Sequence, residues 1–259
     1  MGMLDLGSKR WESLSVAGGN PRLVPELIAS LKEGATPEDW AEVMEQIGHQ
    51  RTRYSAAYAA IPHLLELAKI QARTQDAEFF YSLGAVAEPF ESTDPPPEDL
   101  RSDFDTAMAE AASLSIDALL KTRLDVKSFV YLLQGAAGLH HRRGPGSRLE
   151  CLIENNLEAY CPSCDSCLTP QVEEQRIDLV AEDERGRRLS ERTPIRPRPT
   201  PNLKWEQHNP PIDDFSWLCA LCVEAGQAQV LTWICYLYGD AVCPVCKATF
   251  ELMPEVEKE

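Results

Sequence analysis

A chain of 259 residues that is 44% apolar carries enough hydrophobic material for one large core or two modest ones, which excludes a disordered protein. Its formal charge of -16, from 41 acidic residues against 25 basic, repels phosphate backbones and favours encounter with a basic partner. The segment from Met1 to Trp11 lacks the apolar core of a secretion signal and no run reaches the length of a membrane span, so the expected location is the cytoplasm.

From residue 9 to about 157 the apolar spacing is helical. Leu23, Val24, Leu27, Ile28 and Leu31 recur on one face, and Gly34 ends that helix. Thr36-Pro37-Glu38-Asp39 supplies a cap, a first-turn proline and early acids for a second helix, whose stripe is Trp40, Val43, Met44 and Ile47. A third apolar segment runs from Tyr54 to Ile70, with Pro62 either kinking it or opening a new helix. Further helices are expected over 76–86, 98–121, 126–139 and 147–157, and Glu91 to Pro97 is the one marked break. Successive amphipathic helices on short turns predict antiparallel pairs stacked as in an α-solenoid. Without a visible repeat period, a helical bundle remains open.

Beyond residue 157 the texture changes, which places a domain boundary between 1–157 and 158–259. Gln175 to Val180 alternates like a strand, 181–201 is charged and proline-rich like an exposed loop, and 213–238 reads as a helical pair turning at Ala225-Gly226. Ala248 to Leu252 reads as a closing strand. Arg185, Arg187, Arg188, Arg192, Arg196 and Arg198 make the loop the one basic stretch, suited to nucleic acid or to the chain's own carboxylates.

Cys161-Pro-Ser-Cys164 and Cys243-Pro-Val-Cys246 are the motifs with the most specific chemistry. Each Cys-x-x-Cys hook offers two thiolates from a tight turn, and two hooks together fill the tetrahedral shell that Zn2+ prefers. A filled shell leaves no place for water or substrate, so the implied ion is structural, one per chain. Residues 165–242 lie between the hooks, a separation longer than in an ordinary zinc ribbon. Lengthening the loop by roughly two doublings adds only about 1.2 kcal/mol, against a structural zinc that contributes on the order of 10 kcal/mol. Cys219-x-x-Cys222 is a rival ligand pair inside an apolar helical run, and Cys167 lies near enough to Cys164 to substitute for a ligand. His140-His141-Arg142-Arg143 reads as a cation cluster on the last carbonyls of a helix. The chain has no phosphate-binding glycine loop, nucleophile elbow or metalloprotease motif, so an enzyme is not expected.

His49-Gln-Arg-Thr-Arg-Tyr-Ser-Ala-Ala-Tyr-Ala-Ala-Ile-Pro-His-Leu-Leu-Glu-Leu-Ala68, with Pro21-Arg-Leu-Val-Pro-Glu-Leu-Ile before it, resembles the helices of bacterial HEAT-like proteins. Tyr160 to Cys164 and Leu237-Tyr-Gly-Asp-Ala-Val-Cys-Pro-Val-Cys246 resemble the zinc-ribbon tail that often follows those helices. The resemblance spans most of the chain. It implies a mainly α fold, HEAT-like stacked helical hairpins followed by a small zinc-ribbon β domain with a helical insertion. That family pattern has glycine after each hook, where this chain has Asp165 and Lys247, so the second turn is expected to be strained or differently formed. Members of the class resemble immunity proteins that neutralise an antibacterial nuclease toxin of a type VI secretion system. An acidic inhibitor suits a basic nuclease. Glu91, Asp94, Glu98, Asp99, Asp103 and Asp105, the densest acidic region, are then the expected toxin contacts. The alternative is a nucleic-acid-binding or transcription-associated zinc-ribbon protein that uses the arginine-rich loop.

Overall fold

The computed structural model describes residues 2–34, 36–50, 52–89, 91–92, 94–142, 148–182, 187–188, 190–202, 204–206 and 209–256. The chain is mainly helical with small sheets. It divides into two compact units, residues 1–118 with 135–141, and residues 119–134 with 142–259. Among the described residues no helix is long and apolar enough to cross a membrane.

The first unit begins with a 3-10 turn at Lys9–Ser13, then α1 (Leu23–Gly34) and α2 (Pro37–Ile47). The capping box on α2 is present: the Thr36 hydroxyl accepts from the Asp39 amide, and the Asp39 carboxylate accepts from the Thr36 amide at 2.8 Å. The α2 stripe of Trp40, Val43, Met44 and Ile47 is buried, as its spacing predicts. Two short strands, β1 (Gly48–His49) and β2 (Thr52–Arg53), pair antiparallel, and β2 pairs in parallel with β3 (Glu91–Ser92). Between them lie α3 (Ala57–Ile70), continuous through Pro62 and buried over most of its length, and α4 (Ala77–Ala87), capped by Asp76. After β3 come α5 (Glu98–Lys121) and α6 (Val126–Leu139), of which residues 98–118 and 135–139 belong to this unit.

Two features hold this unit closely. Gly84 on α4 faces Gly135 and Gly138 on α6, so near that a Cβ at any of the three would lie well inside van der Waals contact with backbone. His63 is buried on α3, where its Nε2 meets the Leu4 carbonyl at 2.7 Å, and burial holds the imidazole below its ordinary value. Residues 140–142 do not cap their own helix as expected. His140 meets the Ala112 carbonyl, His141 meets Glu88, and Arg142 bonds the Pro211 and Ile212 carbonyls beside Asp214. Arg143 lies outside the described residues.

In the second unit the helix expected over 147–157 is a single turn, α7 (Cys151–Glu154). It stops where Asn155 adopts the left-handed conformation, φ 52°. An antiparallel sheet follows in the order β4 (Ala159–Tyr160), β5 (Cys167–Val172), β6 (Ile177–Ala181), β7 (Thr193–Pro194). Every residue of β6 is buried, including Asp178, whose carboxylate meets Arg176 at 3.3 Å and Arg192 at 3.9 Å. The segment after β7 is largely exposed yet ordered. Ile195 is buried, and Arg196 exchanges backbone hydrogen bonds with Asp240. Helices α8 (Asp214–Glu224) and α9 (Ala228–Leu237) form a hairpin through Gly226, φ 68°, and α9 packs on β6, with Trp233 donating to the Glu173 carbonyl at 2.7 Å. Strands β8 (Asp240–Val242) and β9 (Thr249–Glu251) pair, and α10 (Leu252–Val256) follows.

Two outcomes are expected. Gly135→Ala should lower the free energy of unfolding by about 2 kcal/mol in a urea titration, despite alanine's better helix propensity, because the added methyl meets backbone that cannot yield. Since His63 is held neutral, its contribution to stability is intact above the ordinary imidazole value of 6.5 and is lost as pH falls through the depressed folded value. The urea midpoint should therefore drop further between pH 7.5 and pH 5 in the natural chain than in His63→Gln.

Candidate metal centre

Each hook is the turn of an antiparallel hairpin. The first joins β4 to β5 and the second joins β8 to β9. The pairings match position for position: Ala159 faces Leu168 and Tyr160 faces Cys167, as Ala241 faces Phe250 and Val242 faces Thr249. The turns close alike. The Cys161 amide donates to the Ser166 carbonyl at 3.0 Å and the Asp165 amide to the Cys161 carbonyl at 2.8 Å. In the second hook the Cys243 amide reaches the Ala248 carbonyl at 2.8 Å and the Lys247 amide the Cys243 carbonyl at 3.0 Å.

Asp165 and Lys247 both take the left-handed conformation, φ 55° and 66°. The second turn is therefore not differently formed. Lysine adopts the geometry glycine would take, with Nζ on the Pro244 carbonyl at 2.9 Å. Backbone amides also point at the leading sulfurs: those of Val245 and Cys246 reach Cys243 Sγ at 3.4 and 3.5 Å, and those of Ser163 and Cys164 reach Cys161. Such donors stabilise a thiolate.

The two turns bring Cys161, Cys164, Cys243 and Cys246 together, with all four sulfurs within 4.8 Å of one another. Cys161 and Cys246 are 3.6 Å apart, and Cys164 and Cys243 are 3.7 Å apart. Those separations are too long for disulfides. They suit a tetrahedron of sulfurs at about 2.3 Å from a central ion, whose edges are about 3.8 Å. The leading cysteine of each hook is buried and the trailing one exposed. Without a metal, burial pushes the Cys161 thiol up to about 12, while the Ser166 hydroxyl, 3.1 Å from Cys164 Sγ, holds Cys164 down to about 6. A cation in the cage would have to displace protons from the buried sulfurs.

The rival sulfurs lie elsewhere. Cys167 is on β5 across from Tyr160, and Cys219 and Cys222 are buried within α8, outside the four-cysteine group. The shared text Ala-x-Cys-Pro-x-Cys, preceded by Glu158 in one copy and Asp240 in the other, was the available sign of duplicated hairpins. Strand β5 was harder to foresee, because Thr169-Pro-Gln171 carries little apolar alternation.

The acidic residues expected to meet a partner are spread along β3, the connection after it and α5. Glu91 is placed by its backbone on β3, opposite Thr52. Asp94 lines an open cavity of about 560 Å3 with Arg10 and Ser55. Arg10 grips Asp99 at 3.0 Å through two hydrogen bonds and holds its carboxyl below the usual range. Arg101 lies 3.9 Å from Glu98 and 3.7 Å from Asp105, and Asp103 is half-buried. Comparison with protein-family models, with curated proteins and with solved structures gives no match to this chain.

In the metal-free chain Cys164 should be alkylated by iodoacetamide before the other three hook cysteines. Its rate should fall only below about pH 6, where its thiolate is lost. Equal labelling of all four, or a rate still climbing above pH 8, would contradict this geometry.

Proposed function

We propose that the four thiolates hold one structural Zn2+ in a zinc ribbon with a helical insertion, and that the helical unit is a HEAT-like stack. On this reading the chain is a cytoplasmic immunity protein that binds a basic secreted nuclease, of the kind delivered by type VI secretion, and blocks its active site. Four thiolates complete the shell of the ion, so it supplies shape and no Lewis acid for a reaction. On this reading the chain acts by binding and not by catalysis at the metal.

What carries the reading is the acidic surplus, -16 over the chain, to which α5 contributes. There Glu98, Asp99, Asp103, Asp105, Glu110 and Asp117 stand against Arg101 and Lys121. A field of that sign steers a basic protein toward the face that presents it and speeds association. The nucleic-acid alternative draws less support. Arg192 meets Glu173, Arg198 stacks on Phe215 at 4.4 Å, and Arg188 donates to the Ser190 carbonyl. Arg185 lies outside the described residues.

Co-expression with the product of the adjacent gene should give a co-purifying complex and rescue growth from its toxicity. Glu98→Lys with Asp105→Lys should slow association about tenfold at low salt while leaving metal content unchanged. Absence of both complex and rescue would overturn the proposal, and a salt-sensitive gel shift with DNA or RNA would favour the alternative. Purified chain should contain one zinc, lost in Cys243→Ser, and chelation should lower the thermal midpoint.

A further inference from the structure

Helices α2 and α4 leave a trough of about 400 Å3 between them, wholly within the first unit. Both walls carry the same spacing. Ala41, Glu45 and Gly48 line it from one side and Glu78, Ser82 and Ala85 from the other, each set at i, i+4 and i+7. Seven residues along a helix span about 10 Å, or two turns. Trp40, Met44 and Phe79, all buried, line the space from beneath. Two contacts hold the helices in this arrangement. Trp40 meets Phe79 edge to face with ring centroids 5.5 Å apart, and Gly48 approaches Val86 so nearly that a Cβ there would stand 2.6 Å from its side chain.

The rim of the trough is acidic. Glu45 and Glu78 are exposed there, and Glu38, also exposed, stands one turn before Ala41 on the same face of α2. Glu45 has His49 as its neighbour, and among the described residues no cation pairs with Glu78. The Arg73 guanidinium beside them is already engaged: it stacks over Trp40 at 4.8 Å, and its Nε donates to the Asp76 carboxylate at 2.9 Å. Helical walls satisfy their own backbone groups and offer an incoming chain no ladder to join. An occupant has to satisfy its own backbone, as a helix does. The small side chains of the walls, Ala41, Ser82 and Ala85, leave room for a ridge of larger apolar ones.

We propose that the trough between α2 and α4 is a docking surface for an amphipathic helix with basic flanks. The apolar stripe of that helix enters between the walls and covers Trp40, Met44 and Phe79, while its Lys and Arg side chains meet Glu38, Glu45 and Glu78. Charge on the rim sets the sign of the partner, and the apolar floor sets how long it stays. The inference deepens the proposed function and rests on it for the source of the helix, the basic partner. The recognition chemistry belongs to the trough itself and is tested apart from that source.

A fluorescent peptide of about 18 residues, leucine along one helical face and lysine elsewhere, would be titrated into the full-length chain and followed by anisotropy. The same peptide with glutamate in place of lysine is the control. The lysine peptide is expected to bind, and a benzophenone replacing one leucine should cross-link to Met44 or to the α4 wall. Ala41→Trp, at an exposed position, should weaken binding about tenfold by filling the trough, with the thermal midpoint unchanged. Glu78→Lys should weaken it about threefold at low salt and less at high salt. The proposal is overturned if the glutamate peptide binds equally well or if Ala41→Trp binds like the natural chain. It is also overturned if sedimentation shows a dimer that Ala41→Trp dissociates, since the trough would then hold a second copy of the chain. The complex with the product of the adjacent gene separates the two readings. If that complex forms and Ala41→Trp leaves its dissociation rate unchanged, the docking surface is wrong and the immunity reading survives. If the peptide binds at the trough and no such complex forms, the docking surface stands and the immunity reading falls.

Discussion

Convergence of four sulfurs is the constraint on which the second unit depends. Each hook is the six-residue connection of a two-stranded hairpin, 161–166 in one and 243–248 in the other, too little structure to persist alone in water. Closing the two hooks against each other makes each hairpin the other's support, and it does so across a long stretch of intervening chain. A central ion that accepted four thiolates would add the free energy of metal binding to that mutual support. The matched registers, the matched turn hydrogen bonds and the two left-handed residues, Asp165 and Lys247, show one local solution used twice.

The inserted chain does more than separate the hooks. Sheet pairing runs from β4 through β5 and β6 to β7, and the backbone of Arg196 then carries it to Asp240, the first residue of β8. A path of hydrogen bonds therefore leads from one hook to the other, and the entropy lost in closing a long loop is distributed among elements that are ordered for their own reasons. Trp233 and the α9 face cover β6, so this path has a hydrophobic backing. The buried Asp178, paired with Arg176 and with Arg192 of the basic loop, shows an arginine of that loop engaged by the unit's own carboxylate.

Much of the helical portion was legible because burial there follows a 3.6-residue period. Trp40, Val43, Met44 and Ile47 announce α2, and Thr36 with Asp39 announces its start. Strand β6 was legible from the alternation of Gln175 to Val180, although the structure buries both of its faces rather than one. The overlong helix expected at 147–157 failed at Asn155, whose left-handed turn is a tertiary choice that propensity does not report. The four ligand candidates were readable from spacing alone. Close packing at Gly84, Gly135 and Gly138 was hidden, because a glycine within a helix signals flexibility and close approach alike.

X-ray absorption at the zinc edge of the purified full-length chain tests the central claim most directly. The account predicts a single shell of four sulfur scatterers at about 2.3 Å, unchanged by added small-molecule ligands. A shell containing nitrogen or oxygen, or one that takes up an added anion, would show an open site and contradict a metal that only holds the two hairpins together.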